Sequence, residues 1–403
     1  MCLCNNVSRR RLEDAWRDGA RSVEALAALT RATTGCGGCE PDVRDLVARF
    51  EGPTPSVPAP RPRRVGPGER RTLVVVGNGM VGHRLVTTLH ARDQAGQWRI
   101  TVLGKEPHPA YDRVSLSSYL DGRSAQDLTL AADAVLADPA VVVRRGCEVV
   151  GVDRAARTVR TSHGDTVGYD ALVLATGSHP FVPPLPGRRP AGCFVYRTFE
   201  DLDAIRAAAA PGRPCVVVGG GVLGLEAASA LRGLGLVPQV VERAPHLMAG
   251  QLDAGQAHAL AQELREGLGL GLHCGVGIER LAAGPDGVVG RVELTDGRVL
   301  PADLVVFAAG IVPADELAEA AGLARGERGG FLVDRHCRTD DPRVRAIGEC
   351  AAVAGRCHGL VAPGYRMADL VARELLGEPA PEFSAPDVPP RLKLLGAARA
   401  AAR

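Results

Sequence analysis

Residues 73–86, LVVVGNGMVGHRLV, combine a short apolar run, a glycine-rich turn and the start of a helical pattern. The apolar run predicts a buried strand, and the spacing over Met80–His90 predicts a helix. Gly77 permits the tight turn between them, Gly79 lets the backbone approach a pyrophosphate, and Gly82 lets the helix pack closely on the strand. The stretch therefore predicts a dinucleotide-binding unit, whose helix N-terminus offers free N–H groups to the phosphates.

The residues that follow complete this unit. The run Ile100–Leu103 predicts the next strand, and Glu106 stands after it, where an acidic residue binds a ribose hydroxyl pair. A glycine pattern alone is weak evidence, because glycine-rich strand–helix turns also occur without a ligand. The strand, the helix and the acid together favour a bound dinucleotide.

A second copy of the pattern, GGGVLG at residues 219–224, lies between a predicted strand, Cys215–Val218, and a predicted helix, Val222–Leu234. Gln239–Val241 predicts the following strand, and Glu242 closes it. A carboxylate there accepts from the adenosine ribose and repels a 2′-phosphate, which favours NADH over NADPH. Arg243 beside it would weaken that preference.

Short apolar runs alternate with helical patterns through this region, as in parallel α/β architecture. The runs Ala171–Ala175 and Leu304–Ala308 predict further buried strands. With two glycine fingerprints, the sequence predicts an α/β fold with two Rossmann-like dinucleotide-binding domains.

Two further segments end predicted strands with small or acidic residues. Thr176-Gly177 follows a buried strand, where small residues let the chain pass near a cofactor; an ordinary strand-to-loop turn is the alternative. Gly348-Glu349 ends a later strand, where the carboxylate could bind a ribityl hydroxyl; a surface glutamate is the alternative.

Cysteines cluster at the N-terminus, where four of the 11 fall within the first 39 residues as Cys2-x-Cys4 and Cys36-x-x-Cys39. In a protein of the reducing cytosol this pattern favours metal or redox chemistry over disulfides. The first fifty residues otherwise show apolar positions at helical spacing, and Asp42–Phe50 predicts a short helix. The Pro- and Arg-rich stretch Gly52–Gly68 predicts a solvated linker.

Composition excludes several classes of protein. The formal net charge is only +2 and hydrophobic residues make up 46%, which does not indicate a nucleic-acid or membrane-surface partner. No signal-peptide run and no stretch of 18 apolar residues occurs, so the expectation is a cytoplasmic protein. No Cys-x₂-Cys or Cys-x₄-Cys lies beyond residue 72, so this region lacks the cysteine pair that a dithiol reductase mechanism needs. The scattered Cys147, Cys193, Cys215 and Cys274 are expected to be buried small hydrophobes.

The α/β region resembles a known family. Residues 72–375 are similar to the FAD/NAD(P)-binding region of pyridine-nucleotide flavoprotein reductases, in particular to the N-terminal part of NADH-dependent assimilatory nitrite reductase large subunits. The segments that carry the resemblance are LVVVGNGMVGHRLV (73–86), PAYDRVSLSSYL (109–120), GECAAV (348–353) and HGLVAPGYRMA (358–368).

This resemblance implies two cofactors and assigns residues to them. For FAD it implies Gly77, Gly79, Met80, Gly82, Glu106, Arg113, Ser117, Thr176, Gly177, Gly348 and Glu349. For NADH it implies Gly219, Gly221, Gly224 and Glu242. Arg113 is also the candidate catalytic residue, because its charge could stabilise the negative reduced flavin; a surface salt-bridge arginine is the alternative.

The first fifty residues resemble bacterioferritin-associated ferredoxin modules, which have CxC, a gap of about thirty residues, and CxxC. The resemblance implies a [2Fe-2S] cluster on Cys2, Cys4, Cys36 and Cys39. Four thiolates suit such a cluster because soft anionic sulfur stabilises iron. A tetrahedral Cys₄ zinc site needs the same ligands and is the alternative.

The resemblance also implies a domain order and a partner. The predicted order is a [2Fe-2S] domain at 1–52, a linker at 53–71, an FAD-binding domain in two parts at 72–190 and 301–378, an NADH-binding domain at 191–300, and the remnant of a C-terminal domain at 379–403. Residues 391–396, RLKLLG, resemble the first strand of the family's interface domain, after which the chain stops, so a truncated C-terminal domain is expected. No second cysteine-rich set follows, so the catalytic half of the nitrite reductases, which carries sirohaem and a [4Fe-4S] cluster, is expected to be missing.

The predicted function is electron transfer from NADH through FAD and the [2Fe-2S] cluster to a nitrate or nitrite reductase catalytic subunit. A reductase for a free ferredoxin or rubredoxin is one alternative. A redox-sensing binding module with little turnover is another. The sequence does not decide the oligomeric state.

Overall fold

The computed structural model describes residues 7, 9–30, 32, 43, 46, 47, 50, 70–130, 133–186, 189–385 and 392. It divides into two compact units, Met1–Pro60 and Arg61–Arg403. The predicted cluster ligands Cys2, Cys4, Cys36 and Cys39 lie outside the described residues, as does nearly all of the predicted linker 53–71.

The first unit is helical in its described part, as the sequence predicts. Its helices are α1 (Arg9–Arg17) and α2 (Val23–Thr30), and the described residues of the predicted helix Asp42–Phe50 are also helical. Trp16 and Phe50 pack with ring centroids 5.1 Å apart. The buried apolar side chains of this unit are Val7, Leu12, Ala15, Ala20, Leu26, Ala32, Val43, Leu46 and Val47.

The second unit contains the α/β region. Its described helices are α3 (Met80–Arg92), α4 (Ser117–Leu120), α5 (Asp133–Leu136), α6 (Phe199–Ala208), α7 (Val222–Gly233), α8 (Ala254–Leu268), α9 (Leu317–Ala321) and α10 (Val361–Leu375). Single 3₁₀ turns lie at Arg113–Ser115 and Gly348–Cys350. The first strands are β1 (Arg71–Val76), β2 (Trp98–Leu103), β3 (Val141–Arg144), β4 (Val149–Asp153), β5 (Thr158–Thr161), β6 (Thr166–Gly168), β7 (Ala171–Leu174) and β8 (Ser178–Pro180).

The remaining strands follow in chain order. They are β9 (Cys193–Val195), β10 (Pro214–Val218), β11 (Val237–Glu242), β12 (Gly271–Cys274), β13 (Ile278–Ala283), β14 (Val289–Leu294), β15 (Val299–Pro301), β16 (Leu304–Phe307), β17 (Ile311–Pro313), β18 (Phe331–Val333), β19 (Val344–Ala346), β20 (Ala351–Val353) and β21 (Arg356–Cys357).

The first sheet has the order β19-β7-β1-β2-β3, and all its strands are parallel. The predicted strands Leu73–Val76 and Ile100–Leu103 are β1 and β2, each starting two residues earlier than predicted. Leu73 to Val75 are fully buried and Val76 is 4% exposed, because helices or loops cover both faces of a parallel sheet. Burial of each such side chain contributes about 1.5–3 kcal/mol.

The second sheet, of order β12-β11-β10-β16-β9, is also parallel and repeats the strand–helix–strand unit as β10, α7 and β11. The predicted strand Gln239–Val241 lies within β11. The chain reaches the second sheet at β9 and leaves it after β16. Between the sheets, β8 pairs antiparallel with β17. The predicted α/β fold with two Rossmann-like domains is confirmed.

The structure shifts one predicted domain boundary. The sequence assigned residues 301–378 to the FAD-binding domain, but β16 pairs with β10 and β9 in the second sheet. The sequence predicts that Leu304–Ala308 is a strand, but it does not indicate the sheet to which the strand belongs. That sheet is decided by pairing with residues about 90 and 110 positions away in sequence, as in the registers Cys215↔Leu304 and Val305↔Cys193. We therefore place the return to the first domain after β16.

Only a part of the predicted C-terminal remnant 379–403 is described. Phe383 is buried, donates its backbone N–H to the Arg335 carbonyl at 2.7 Å, and packs its ring against His358. In the strand-like segment 391–396, Leu392 is the described residue, and it is half-buried against the core that includes Leu225 and Phe199.

Candidate functional site

The first glycine fingerprint forms a turn that side chains would block. Gly77 has φ +115°, and a Cβ there would overlap the backbone carbonyl of Ala175. A Cβ on Gly82 would overlap the carbonyl of Gly77. These two glycines are required because the α3 helix and the neighbouring strand β7 approach the turn so closely.

Gly79 differs, because it faces open space. It caps α3 with φ −84° and ψ −172°, no side chain caps this end, and a Cβ on it would meet no atom within 4 Å. The first turn of α3 thus presents backbone N–H groups to an open surface. A phosphate is stabilised at such a helix end by hydrogen bonds and by the helix dipole.

The second fingerprint repeats this geometry. Gly219 also has φ +115°, and a Cβ on it would overlap the carbonyl of Ala308. A Cβ on Gly224 would overlap the carbonyl of Gly219. Gly221 caps α7 with φ −80° and ψ −177°, again without a side-chain cap and with no atom within 4 Å of an added Cβ. The two turns are therefore equivalent. We call them the first cradle (Gly77 to Gly82) and the second cradle (Gly219 to Gly224), because each could hold a pyrophosphate.

Both cradles open into one cavity of about 1740 Å³, at the carboxyl ends of the strands of both sheets. Typical small-molecule sites are about 300–1,000 Å³, so this cavity has room for more than one such ligand. Twelve of the predicted site residues line it: Gly77, Gly79, Met80, Glu106, Arg113, Thr176, Gly177, Gly219, Gly221, Glu242, Gly348 and Glu349. The glycines that only permit close packing, Gly82 and Gly224, lie behind it.

Ser117 does not line the cavity. It is the first residue of the four-residue helix α4 and is 7% exposed, packed where α4 meets α7. The sequence placed it near the flavin by resemblance, but a residue on so short a helix can face either side. Its assignment to the cofactor stays a prediction that the cavity does not support.

Glu106 is held by side chains. Its carboxylate forms an ion pair with the Arg113 guanidinium and accepts from the Tyr111 hydroxyl at 2.8 Å. Arg113 also donates to Tyr111 Oη at 2.7 Å and to the Arg197 carbonyl at 2.9 Å. Burial raises the pKa of Tyr111, so its hydroxyl stays protonated as a donor. Two of the roughly four acceptor positions of the carboxylate remain for a ribose.

The surroundings of Arg113 bear on its predicted role. Its guanidinium already has three acceptors, and its charge is neutralised by Glu106. A cation neutralised in this way contributes less field to a reduced flavin than an unpaired cation would. Arg113 thus fixes Glu106 in place, and its catalytic role stays a prediction.

Glu242 is held by the backbone instead. One carboxylate oxygen accepts from Gly220 N–H at 2.6 Å and the other from Ala244 N–H at 2.7 Å. The side chain thus connects the end of β11 to the second cradle while leaving further acceptor positions. Arg243 beside it is exposed and lines the cavity.

Glu349 has a partner that the sequence analysis missed. It accepts from Ser178 Oγ at 2.7 Å and from the Arg197 guanidinium at 2.6 Å, and all three residues line the cavity. Arg197 stands between β9 and the capping box of α6, at the carboxyl end of a parallel strand. That position was the available signal, because ligands of α/β sheets bind outside these strand ends.

The N-terminus of α10 also reaches the cavity. Leu360 is the N-cap residue and makes no side-chain cap, the first turn has no acidic residue, and residues 359–363 line the cavity. A helix N-terminus favours negative charge within about one turn. This end is therefore a third helix N-terminus at the cavity, after those of α3 and α7. It lies in the segment 358–368, which the sequence analysis used only for resemblance.

The remaining observations concern single predicted residues and the scattered cysteines. Thr176 donates its hydroxyl to the Ala314 carbonyl at 2.5 Å, and Gly177 has φ +75°. Cys147 and Cys215 are buried, as expected, and Cys193 and Cys274 are half-buried. In the part of the chain that the structure describes, no three His, Cys, Asp or Glu side chains are placed to hold a metal ion.

Fold and site together define an α/β protein with two dinucleotide cradles facing one cavity. Residues 71–369 match the family "Pyridine nucleotide-disulphide oxidoreductase" and residues 1–49 match "BFD-like [2Fe-2S] binding domain". The chain belongs to the pyridine nucleotide-disulphide oxidoreductase family.

Three relatives illustrate this membership. The chain is 49% identical over 324 residues to the nitrite reductase [NAD(P)H] large subunit of Klebsiella oxytoca, covering 80% of this chain and 33% of that protein. It is 34% identical to the assimilatory nitrate reductase electron transfer subunit of Bacillus subtilis (strain 168), covering 81% and 42%. A crystal structure of a ferredoxin reductase from Rhodopseudomonas palustris matches with a TM-score of 0.72 at 31% identity, covering 78% of each chain.

The family implies FAD and NAD(P)H, and the N-terminal match supports a [2Fe-2S] cluster. The structure fits the two nucleotides, because each cradle leaves open space beside a glycine without a Cβ, at Gly79 and at Gly221. The chain is thus an FAD-dependent NAD(P)H oxidoreductase. No described helix has the length and apolar character that crossing a membrane requires.

Proposed function

We propose that this chain passes electrons from NADH through FAD and a [2Fe-2S] cluster to the catalytic subunit of a nitrate or nitrite reductase. The observation that carries the proposal is the single cavity into which both cradles open. Two dinucleotides held there would have their reactive rings in a shared space. The relatives named nitrite reductase large subunit and nitrate reductase electron transfer subunit support the choice of partner.

The residues divide the work between the two nucleotides. The first cradle, Gly77 to Gly82, would hold the FAD pyrophosphate, with Glu106 accepting from the adenosine ribose. The second cradle, Gly219 to Gly224, would hold NADH, with Glu242 at its ribose. A carboxylate there opposes a 2′-phosphate, which supports NADH as the donor.

The chemistry that FAD supplies when bound is acceptance of a hydride from a reduced nicotinamide and release of single electrons to an iron–sulfur cluster. The protein's own contribution is orientation and charge. Glu349, held by Ser178 and Arg197, offers acceptor positions for a ribityl hydroxyl. The N-terminus of α10 supplies positive potential to the same cavity, which would favour the negative charge of a reduced flavin held there.

The test is an anaerobic titration of the purified protein with NADH, followed by visible absorbance and electron paramagnetic resonance. We expect loss of the flavin absorbance and then the signal of a reduced [2Fe-2S] cluster. In a Cys36→Ser/Cys39→Ser variant the flavin should still be reduced while the resonance signal is absent. Colourless protein, or bound zinc without flavin, would contradict the proposal.

A second candidate is a reductase for a free ferredoxin, favoured by the mutual 78% coverage with the ferredoxin reductase structure. Turnover assays separate the two. Faster NADH oxidation with a nitrate or nitrite reductase catalytic subunit than with a free ferredoxin supports the first candidate, and the reverse supports the second. Flavin reduction without turnover of any acceptor, artificial ones included, would indicate a sensor.

A further inference from the structure

The two sheets are joined by apolar packing away from the cavity. Leu116 and Leu120 at α4 belong to the same buried cluster as Leu225 of α7 and Phe199 of α6. Apolar contact is strong but has no preferred direction, so it allows one sheet to rock against the other. A fixed angle between the sheets needs directional contacts. Tyr119 donates to Asp203 at 2.9 Å, and His108 pairs with Glu200 at 2.6 Å beside the cavity.

Arg197 makes a further directional contact, which is less exposed than the His108–Glu200 pair. It follows β9 of the second sheet, and its guanidinium donates to Glu349, which follows β19 of the first sheet, at 2.6 Å. Its main-chain carbonyl accepts from Arg113, from the first-sheet side, at 2.9 Å. One residue that follows a strand of the second sheet is thus bonded twice to residues on the first-sheet side.

The surroundings strengthen the ion pair. The Arg197 and Glu349 side chains are only 22% and 21% exposed, and Glu349 is further fixed by the Ser178 hydroxyl at 2.7 Å. Hydrogen bonds between ionised groups are about twice as strong as neutral ones and are directional. Partial exclusion from water strengthens them further, because the effective dielectric constant falls.

We infer that Arg197 is a positioning residue that sets the angle between the two sheets, and with it the distance between the nicotinamide and flavin rings. The inference rests on the proposed function, in which each sheet carries one of the two rings. Reacting atoms must approach to about 3–3.5 Å, and a displacement of about 1 Å can lower a rate by about 100-fold. A contact beside the cavity controls that distance more directly than the apolar packing behind it.

The experiment is anaerobic stopped-flow reduction of the FAD-loaded protein by NADH, for Arg197→Ala and Arg197→Lys. It yields the limiting rate of flavin reduction, the NADH dissociation constant and, with NADH deuterated at C4, the isotope effect. The bound FAD is followed separately by visible circular dichroism. Arg280→Ala is the matched control. Arg280 also donates two hydrogen bonds to a carboxylate, that of Glu293, but both residues lie in the β13–β14 hairpin, so this pair does not join the two sheets.

We expect Arg197→Ala to lower the limiting rate by about tenfold or more, with a changed isotope effect and little change in NADH affinity or FAD content. Arg197→Lys, which keeps one charged donor, should recover part of the rate. Arg280→Ala should match the unsubstituted protein.

Three results would overturn the inference. They are a limiting rate equal to that of Arg280→Ala, a loss confined to NADH affinity, and loss of FAD as the only effect. A failure of the proposed function looks different, because NADH would then fail to reduce the unsubstituted protein.

Discussion

The two fingerprints have nearly identical backbones, but their acidic residues are held in different ways. Gly77 and Gly219 share φ +115°, and each is closed in by the carbonyl of an alanine that follows a parallel strand. Glu106 is then held by the side chains of Arg113 and Tyr111, whereas Glu242 is held by two backbone N–H groups.

This difference shows which part of a nucleotide site is local. The turn geometry follows from three glycines and the strand that precedes them, so it recurs wherever the pattern recurs. The acidic residue takes whatever donors the surrounding chain supplies. The first site therefore depends on a charged partner seven residues away from Glu106, and the second on its own turn.

The largest expected effect comes from closing either turn. Gly77→Ala and Gly219→Ala each force a side chain into the left-handed region and against a carbonyl in the middle of a sheet. We expect a loss of about 3 kcal/mol or more in the free energy of unfolding, because strain and overlap add. Urea unfolding in a Trp16→Phe background checks this, since Trp98 then reports on the first sheet and far-ultraviolet circular dichroism on both.

The comparison predicts where each loss is seen. Gly77→Ala should shift the Trp98 fluorescence transition, and Gly219→Ala should shift mainly the circular dichroism. Gly122→Ala is the control, because Gly122 has φ +96° but nothing within 4 Å of an added Cβ. It should cost about 1 kcal/mol. An equally small loss for Gly77→Ala would show that the carbonyl contact does not constrain the turn.

A smaller effect is expected from neutralising the acids. Glu106→Gln leaves the partly buried Arg113 without its ion-pair partner, which should cost about 1–3 kcal/mol in the free energy of unfolding. Glu242→Gln removes the charge from an acceptor of two neutral N–H groups, so it should lower the free energy of unfolding by about 1 kcal/mol. The urea unfolding of both variants, without added nucleotide and at low and high salt, checks this. A loss for Glu242→Gln that equals or exceeds that for Glu106→Gln would contradict the assigned difference.

Much of the fold could be predicted, because it is encoded locally. The apolar runs gave β1, β2, β7, β10, β11 and β16 within two residues at either end, and the glycines gave the starts of α3 and α7. The sheet to which β16 belongs could not be predicted in this way, since strand pairing joins residues about 90 positions apart, as Cys215 and Leu304 are.

The site was predicted less completely, for the same reason. Twelve assigned residues line the cavity, but Ser117 does not, because its direction depends on how a four-residue helix packs. Arg197 was missed because its partner Glu349 is 152 residues away in sequence. The cluster ligands Cys2, Cys4, Cys36 and Cys39 lie outside the described residues and stay predictions.

The most direct test of the central claim, that the two cradles hold different nucleotides, compares Gly79→Ala with Gly221→Ala. Both variants should fold normally, because an added Cβ meets no protein atom within 4 Å at either position. The measurement is the FAD content of each purified protein together with its NADH dissociation constant. The account predicts that Gly79→Ala loses FAD, while Gly221→Ala keeps FAD and binds NADH about tenfold or more weakly, since the side chain enters the space of a pyrophosphate. Loss of the same nucleotide in both variants, or of neither, would contradict it.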